Sequence, residues 1–307
     1  MAQLTPDHVY VTPNGVTVNE KIIPDGTRWK DKAKAEKAGF HQGDLYKKNM
    51  KLSGGTGKVR KVTVHNTNDL ENVEDDGEQY TRATYNENMG SARPHFYVDD
   101  LCAWQLLKAG TGQTPGDPAG DAEVGWHAGD GSVSDGGNMT TIGVEIIMND
   151  LNVGHDAMAY DNGARLCAWL LFINGLNIED LVTHAFWNAK KAGKTSDDVD
   201  QQCVTYVANG HWCPYYIFDA KNEAAAKVHW KAFKAVVGAY LEQLRNPPEP
   251  TVNPFVDVAE NRYYYEAVMW GLANNICAGT DKAHFSPNTY ATRAQVITFL
   301  YRALNKK

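Results

Sequence analysis

Nowhere among the 307 residues is there an unbroken apolar run of the roughly eighteen residues that a membrane-crossing helix needs, so no membrane partner is expected. Basic residues are the minority, 30 lysines and arginines against 37 aspartates and glutamates. The formal charge of −7 argues against a nucleic-acid partner, which would call for a basic face. The opening segment, MAQLTPDHVYVTPNGVTVNE, has no basic stretch followed by an apolar one and does not read as a secretory signal. The expectation is a chain made in the cytoplasm without a signal peptide, which needs some other release if it works outside. Cysteine is scarce as well: five residues, odd in number and widely scattered, offer no disulfide framework. Cys102 in DDLCAWQLL and Cys167 in ARLCAWLLF read as small buried hydrophobes. Cys213, in GHWCPYYIF, differs, because polar and aromatic residues surround it.

What is present is an ordinary globular composition, 43% apolar and 22% charged, in a chain long enough for one large domain and a small one. The stretch LRNPPEPTVNPF carries four prolines and little that can pack, and reads as a stiff linker. It divides the chain into a domain over 1–245, a linker over 246–253 and a module over 254–307. Before the linker, NEAAAKVHWKAFKAVVGAYLEQL has the spacing of an amphipathic helix. KVRKVTVHNT and PHFYVDD alternate as strands do, TTIGVEIIM is a more continuous strand suited to a sheet centre, and AYDNGARLCAWLLFING is helical and is followed by a strand-like LVTH. The expected class is α/β, a mixed central sheet flanked by helices, with a small all-α C-terminal module. GGTGK, near residue 54, is not a phosphate loop, since its first glycine is misplaced and Val59 stands where Ser or Thr is required.

Three side chains able to bind a metal fall at strand ends or in the adjoining loops: His65 after KVTV, His184 after LVT, and Cys213. Two imidazoles and a thiolate suit tetrahedral zinc, and three protein ligands leave a fourth position open. Spacing alone does not distinguish them from ordinary polar residues, because they are far apart in the chain. Glu145 is a single charge in an otherwise apolar strand. Burial there would raise its pKa into a range useful for proton transfer, and the alternative is a structural carboxylate paired with an arginine.

The segments VTVHNT, HFYVDD, GWHAGDG, TIGVEI and VTHAFW…WCP, in this order over about residues 58–220, resemble the zinc-dependent N-acetylmuramoyl-L-alanine amidases of phage endolysins, bacterial autolysins and peptidoglycan-recognition proteins. The resemblance implies that His65, His184 and Cys213 hold Zn²⁺, and that Glu145 serves as the catalytic carboxylate. It also implies that a zinc-activated water cuts the amide between N-acetylmuramic acid and L-alanine of peptidoglycan. His211 stands where the family has a lysine two residues before Cys-Pro, and is expected to take that oxyanion-facing role. Lys190, Lys191 and Lys194, in the inserted segment over 188–210, are the competing candidates. Pro94 stands where some relatives carry a catalytic tyrosine. His127 matches a loop lining the substrate groove and reads either as a substrate contact or as structural. Trp126 reads as a sugar-stacking or a core residue. Asn66, with Thr67, reads as orienting the first ligand and as a candidate substrate contact. His95 reads as a packed, hydrogen-bonded residue. Residues 1–57 carry no assigned role.

The C-terminal segments FVDV, YYYEAVMWG, GTDKAHFSPN and TRAQVITFLYRAL resemble one S-layer homology module. The resemblance implies attachment to a secondary cell-wall polysaccharide, with Arg293 gripping an acidic sugar. Val296, Ile297, Leu300 and Leu304 form an apolar stripe that reads as core. Such modules usually act as three pseudo-repeats, and one is present, so either three chains assemble, or the module binds weakly, or it serves only packing; a homotrimer is the outcome to be tested. Two functional readings follow: a wall-degrading amidase acting at the cell wall after release, as a phage lysin or an autolysin, or a protein of the same fold that recognises peptidoglycan without cutting it.

Overall fold

The structure is a computed structural model that describes residues 3–24, 50–67, 76–86, 88–89, 92–131, 133–148, 153–246, 252–274 and 276–304. Seven strands among these residues, β1 His8–Val11, β2 Thr17–Glu20, β3 Lys61–Asn66, β4 Phe96–Val98, β5 Ala103–Gln105, β6 Thr141–Ile146 and β7 Leu181–Thr183, build one sheet in the order β1-β2-β5-β4-β6-β3-β7. The two segments richest in β-branched and apolar residues, KVTVHN and TIGVEI, lie inside the sheet as the parallel neighbours β3 and β6. Their backbones are almost wholly buried, as continuous apolar strands require. β4 runs parallel to β6 and β7 parallel to β3 on either side of this pair, while β5 runs antiparallel to β4 and β1 antiparallel to β2. The sheet is therefore mixed, and helices flank it.

Two long helices, Val153–Ile173 and Glu223–Arg245, contribute Trp169, Trp230 and Phe233 to the same core as Val62, Val64, Val144 and Ile146 of the strands. The second helix starts at Asn222, whose side chain accepts a hydrogen bond from Ala225 N at 3.0 Å, and buries Ala226, Trp230, Phe233, Val237 and Leu241 along one stripe. The first tolerates Gly163 in its interior for a reason of space. A Cβ there would come within 2.3 Å of Ile146 Cδ1, so only glycine lets the helix lie this close to β6.

The N-terminal residues, which carried no assigned role, extend the sheet. β1 and β2 form a hairpin, and β2 pairs in parallel with β5. The turn between them is TPNG, with Thr12 N bonded to Val16 O and Gly15 at φ +92°. An Asn-Gly pair between alternating segments is a strong hairpin signal in any sequence. Residues 25–49 lie outside the described set.

The chain divides into two compact units, Met1–Asn246 and Pro247–Lys307. The second holds the helices Tyr265–Ala273 and Arg293–Leu304 and a small core of Phe255, Val258 and Val268, joined by Tyr264, Tyr265, Leu272 and Phe285, to which the described residues of the last helix contribute nothing. Asp257 ties its loops together, accepting from Phe285 N and Ser286 N at 2.9 and 2.8 Å. One expectation needs correcting. Three residues of the stripe on the last helix are not core: Val296, Ile297 and Leu300 are 46%, 63% and 51% exposed, and the side chain of Leu304 lies outside the described set. The aromatic residues upstream fill the module's interior and leave that face open.

Candidate metal centre

Parallel strands that end together deliver their last residues to one place, and here three of them do. His65 lies near the end of β3, in register with Glu145 on β6. β7 lies on the other side of β3, and His184 follows it directly as the first residue of the helix His184–Lys191. That helix begins sharply because Thr183 caps it, its hydroxyl accepting from Phe186 N at 3.1 Å. The third group arrives from far along the chain. Cys213 sits in the loop before Tyr215–Phe218, where its carbonyl accepts from Ala185 N at 3.0 Å. Asn66 anchors this loop to β3. Its side chain accepts from Ile217 N at 3.0 Å and donates to Ile146 O at 3.0 Å, while its backbone N–H points at Cys213 Sγ from 3.3 Å.

The potential ligand atoms of His65, His184 and Cys213 all lie within 4.8 Å of one another. His65 Nδ1 is 4.0 Å from Cys213 Sγ and 3.9 Å from Glu145 Oε1, so this nitrogen faces the cluster and the carboxylate together. The electrostatics suit a cation. Burial, and then the neighbouring His184, hold His65 well below its ordinary pKa, and burial with His211 and Lys191 takes His184 down to about 4. Both imidazoles are therefore neutral and have lone pairs to offer. Burial pushes the Cys213 thiol up, and the nearby Glu145 pushes it further. Glu145 itself is raised to about 8 by burial, and its Oε2 has no hydrogen-bond partner. A divalent cation would reverse each of these penalties at once, since it takes neutral imidazole and thiolate as ligands and gives the carboxylate a positive neighbour. Among the described residues no arginine pairs with Glu145, so the structural alternative for that carboxylate has no support in the contacts.

The remaining candidates fall at different depths. His211 is exposed, and its ring stacks near that of His184 with centroids 5.7 Å apart and planes 23° apart. Its loop is held by Asn188 Nδ2, which donates to His211 O at 2.7 Å. Each of the three lysines of the insertion has a partner: Lys190 with Asp135 at 2.7 Å, Lys194 with Tyr206 O at 3.3 Å, and Lys191 with Gly129 O at 2.8 Å, where it is near enough to act on His184. Trp126 is half-buried and pairs through its backbone with Arg93. Asn66 is buried, with its side chain spent on backbone partners as described. His127 is buried too, with Nδ1 3.0 Å from His65 Nε2. His95 is fully buried, accepting from Gly143 N at 3.0 Å through Nδ1 and donating to Glu123 O at 2.8 Å through Nε2. Arg293 lies in the second unit, exposed at the start of the last helix. Sequence reading missed the His65–His127 contact. The one available sign was Gly143 inside an apolar strand, since an isolated strand glycine marks a close approach.

Residues 55–215 match the family described as N-acetylmuramoyl-L-alanine amidase, and residues 254–297 match the S-layer homology domain. The N-acetylmuramoyl-L-alanine amidase XlyA of Bacillus subtilis (strain 168) is 32% identical over 192 residues, which cover 62% of this chain and 57% of that protein. CwlH of the same organism, described likewise, is 32% identical over 130 residues, 42% of this chain and 45% of that protein. The chain thus matches about half the length of these curated relatives. Among solved structures, the catalytic domain of XlyA is similar at 25% identity with a TM-score of 0.46, covering 73% of this chain and 100% of that one.

Proposed function

The chain belongs to the N-acetylmuramoyl-L-alanine amidase family, and on that footing we propose that it is a zinc-dependent peptidoglycan hydrolase that cuts between N-acetylmuramic acid and L-alanine. The observation that carries this reading is the meeting of His65, His184 and Cys213 beside the Glu145 carboxylate. In this reading those three residues hold the zinc. When bound, zinc supplies a Lewis acid and a water whose pKa is lowered to about 7. The chain's own groups do the rest. Asn66 N–H, aimed at Cys213 Sγ, favours the thiolate form that a ligand must take. Glu145, whose ionised form a bound cation would favour, is placed to take a proton at Oε1 or Oε2 and return it to the leaving amine. His211, exposed beside His184, is the candidate for donating a hydrogen bond to the oxygen on which charge develops.

The test is to incubate the purified chain and zinc with peptidoglycan and search by mass spectrometry for stem peptides with a free L-alanine amine. Their release is expected; their absence, with zinc bound, would leave the second reading, recognition without cleavage, which the histidine at the usual lysine position favours. The S-layer homology domain supports association with the cell wall. We extend this to a homotrimer in which three chains each supply one module to bind a secondary wall polysaccharide, with Arg293 on the acidic sugar. The open Val296–Ile297–Leu300 face supports that assembly.

A further inference from the structure

His127 has no part in the reaction as derived above, yet its ring is among the most constrained in the molecule. Its backbone N–H donates to Asn138 Oδ1 at 2.8 Å, as does Ala128 N at 2.7 Å, which fixes the loop. The ring then lies directly over Gly143 of β6, where a Cβ would come within 2.5 Å of His127 Cγ, and a Cβ on Gly125 would come within 3.0 Å of Cδ2. Gly143 thus hollows out a seat for this imidazole, while Gly125 makes room first for His95, whose Cε1 a Cβ there would approach within 2.6 Å.

The hydrogen bonds of that ring settle their own direction. His127 Nε2 is 3.4 Å from the carbonyl oxygen of Thr141, and a carbonyl can only accept, so Nε2 carries a proton. With the imidazole's one proton on Nε2, the other nitrogen, Nδ1, is an acceptor. Its partner at 3.0 Å is His65 Nε2, which must therefore be the donor. A neutral His65 with its proton on Nε2 has a free lone pair on Nδ1, the nitrogen that faces Cys213 Sγ and Glu145. With the opposite arrangement of protons, His65 Nδ1–H would point into the metal site.

We propose that His127 is a positioning residue: it accepts the Nε2–H of His65 and so holds that ligand in the one tautomer that presents Nδ1 to the metal, rather than contacting substrate. A histidine ligand commonly donates its second ring nitrogen to a carboxylate or a carbonyl, and here a second histidine relays that bond to a backbone carbonyl. The inference rests on the zinc reading above for its consequence, but not for its geometry.

The experiment uses the full chain, selectively ¹⁵N-labelled at histidine, in wild-type form and as His127→Asn and His127→Leu. Asparagine keeps an acceptor oxygen close to where Nδ1 stands; leucine removes it and keeps the bulk. Two readouts are needed: the tautomer of His65 by NMR in the metal-free chain, and zinc affinity by competition with a chelator at constant pH. The wild type is expected to show His65 with its proton on Nε2. His127→Leu is expected to bind zinc about 10- to 100-fold more weakly, and His127→Asn to recover most of that loss. A His65 protonated on Nδ1 in the wild type would overturn the inference. So would folded His127→Leu binding zinc as tightly as wild type, or His127→Asn falling as far as His127→Leu. If the wild type binds no zinc, the zinc reading fails, and the His65 tautomer still decides this one.

Discussion

At the scale of single residues, four side chains lead to measurable outcomes. Glu145 is the proton carrier of the proposed reaction, so Glu145→Gln should lower turnover by about 10²-fold or more while leaving zinc content unchanged, read by product mass spectrometry and metal analysis. His211 is exposed and stacked on His184 rather than placed among the ligands. His211→Ala should retain zinc and slow the reaction, whereas Cys213→Ala should lose both; zinc loss from the His211 variant would show that the ligands are wrongly assigned. His95 governs an acid response. Protonating its Nδ1 would set two donors face to face, since that nitrogen accepts from Gly143 N–H. Burial accordingly lowers its pKa to about 4, and the hydrogen bond to Glu123 offsets only part of this. The folded value is depressed below an unfolded value near 6.5, so the unfolded chain binds the extra proton first. Stability from this residue is complete above about pH 6.5 and is lost as pH falls toward 4, by on the order of 3 kcal/mol. In chemical denaturation against pH, His95→Asn should be less stable at neutral pH and lose about one proton from the slope in that window. An unchanged slope would put the acid sensitivity elsewhere.

At the scale of elements, β6 is the most demanding segment. Gly143→Ala would drive a methyl against the His127 ring, and overpacking of this kind costs about 1–3 kcal/mol. Thermal unfolding should register that loss together with weaker zinc binding; unchanged values for both would mean that the seat is slack. The strands that carry the candidate ligands were legible in the sequence, because KVTVHN, TIGVEI and LVT combine β-branched residues with apolar runs. The positions of His65, His184, Cys213 and Glu145 followed from ordered motifs that a resemblance supplied; spacing alone did not yield them. His184 proves to open a helix rather than close a strand, a shift that depends on the Thr183 cap. The N-terminal hairpin was readable from its Asn-Gly turn, but short strands with an exposed outer edge give little periodicity. The His65–His127 bond was not readable. It spans 62 residues, and the isolated strand glycine at 143 marks a close approach without saying which side chain makes it.

At the scale of the whole molecule, two units of different character share one chain. The first buries its apolar residues around a sheet, and the second leaves Val296, Ile297 and Leu300 open on its last helix. If that face is covered by copies of the same module, light scattering should give three times the chain mass, and Ile297→Lys should return the protein to monomer without affecting the zinc site. A monomer with full wall binding would refute the trimer. A further consequence concerns the order in which the chain is made. His65 and Cys213 are 148 residues apart, and the loop that carries the thiol is anchored in part beyond it, by Ile217 N on the side chain of Asn66. A growing or truncated chain that stops short of that residue has most of the sheet and none of the completed ligand set. On the proposed reading, a fragment that ends before Ile217 should therefore neither bind zinc nor cut peptidoglycan, however much of the sheet it has formed.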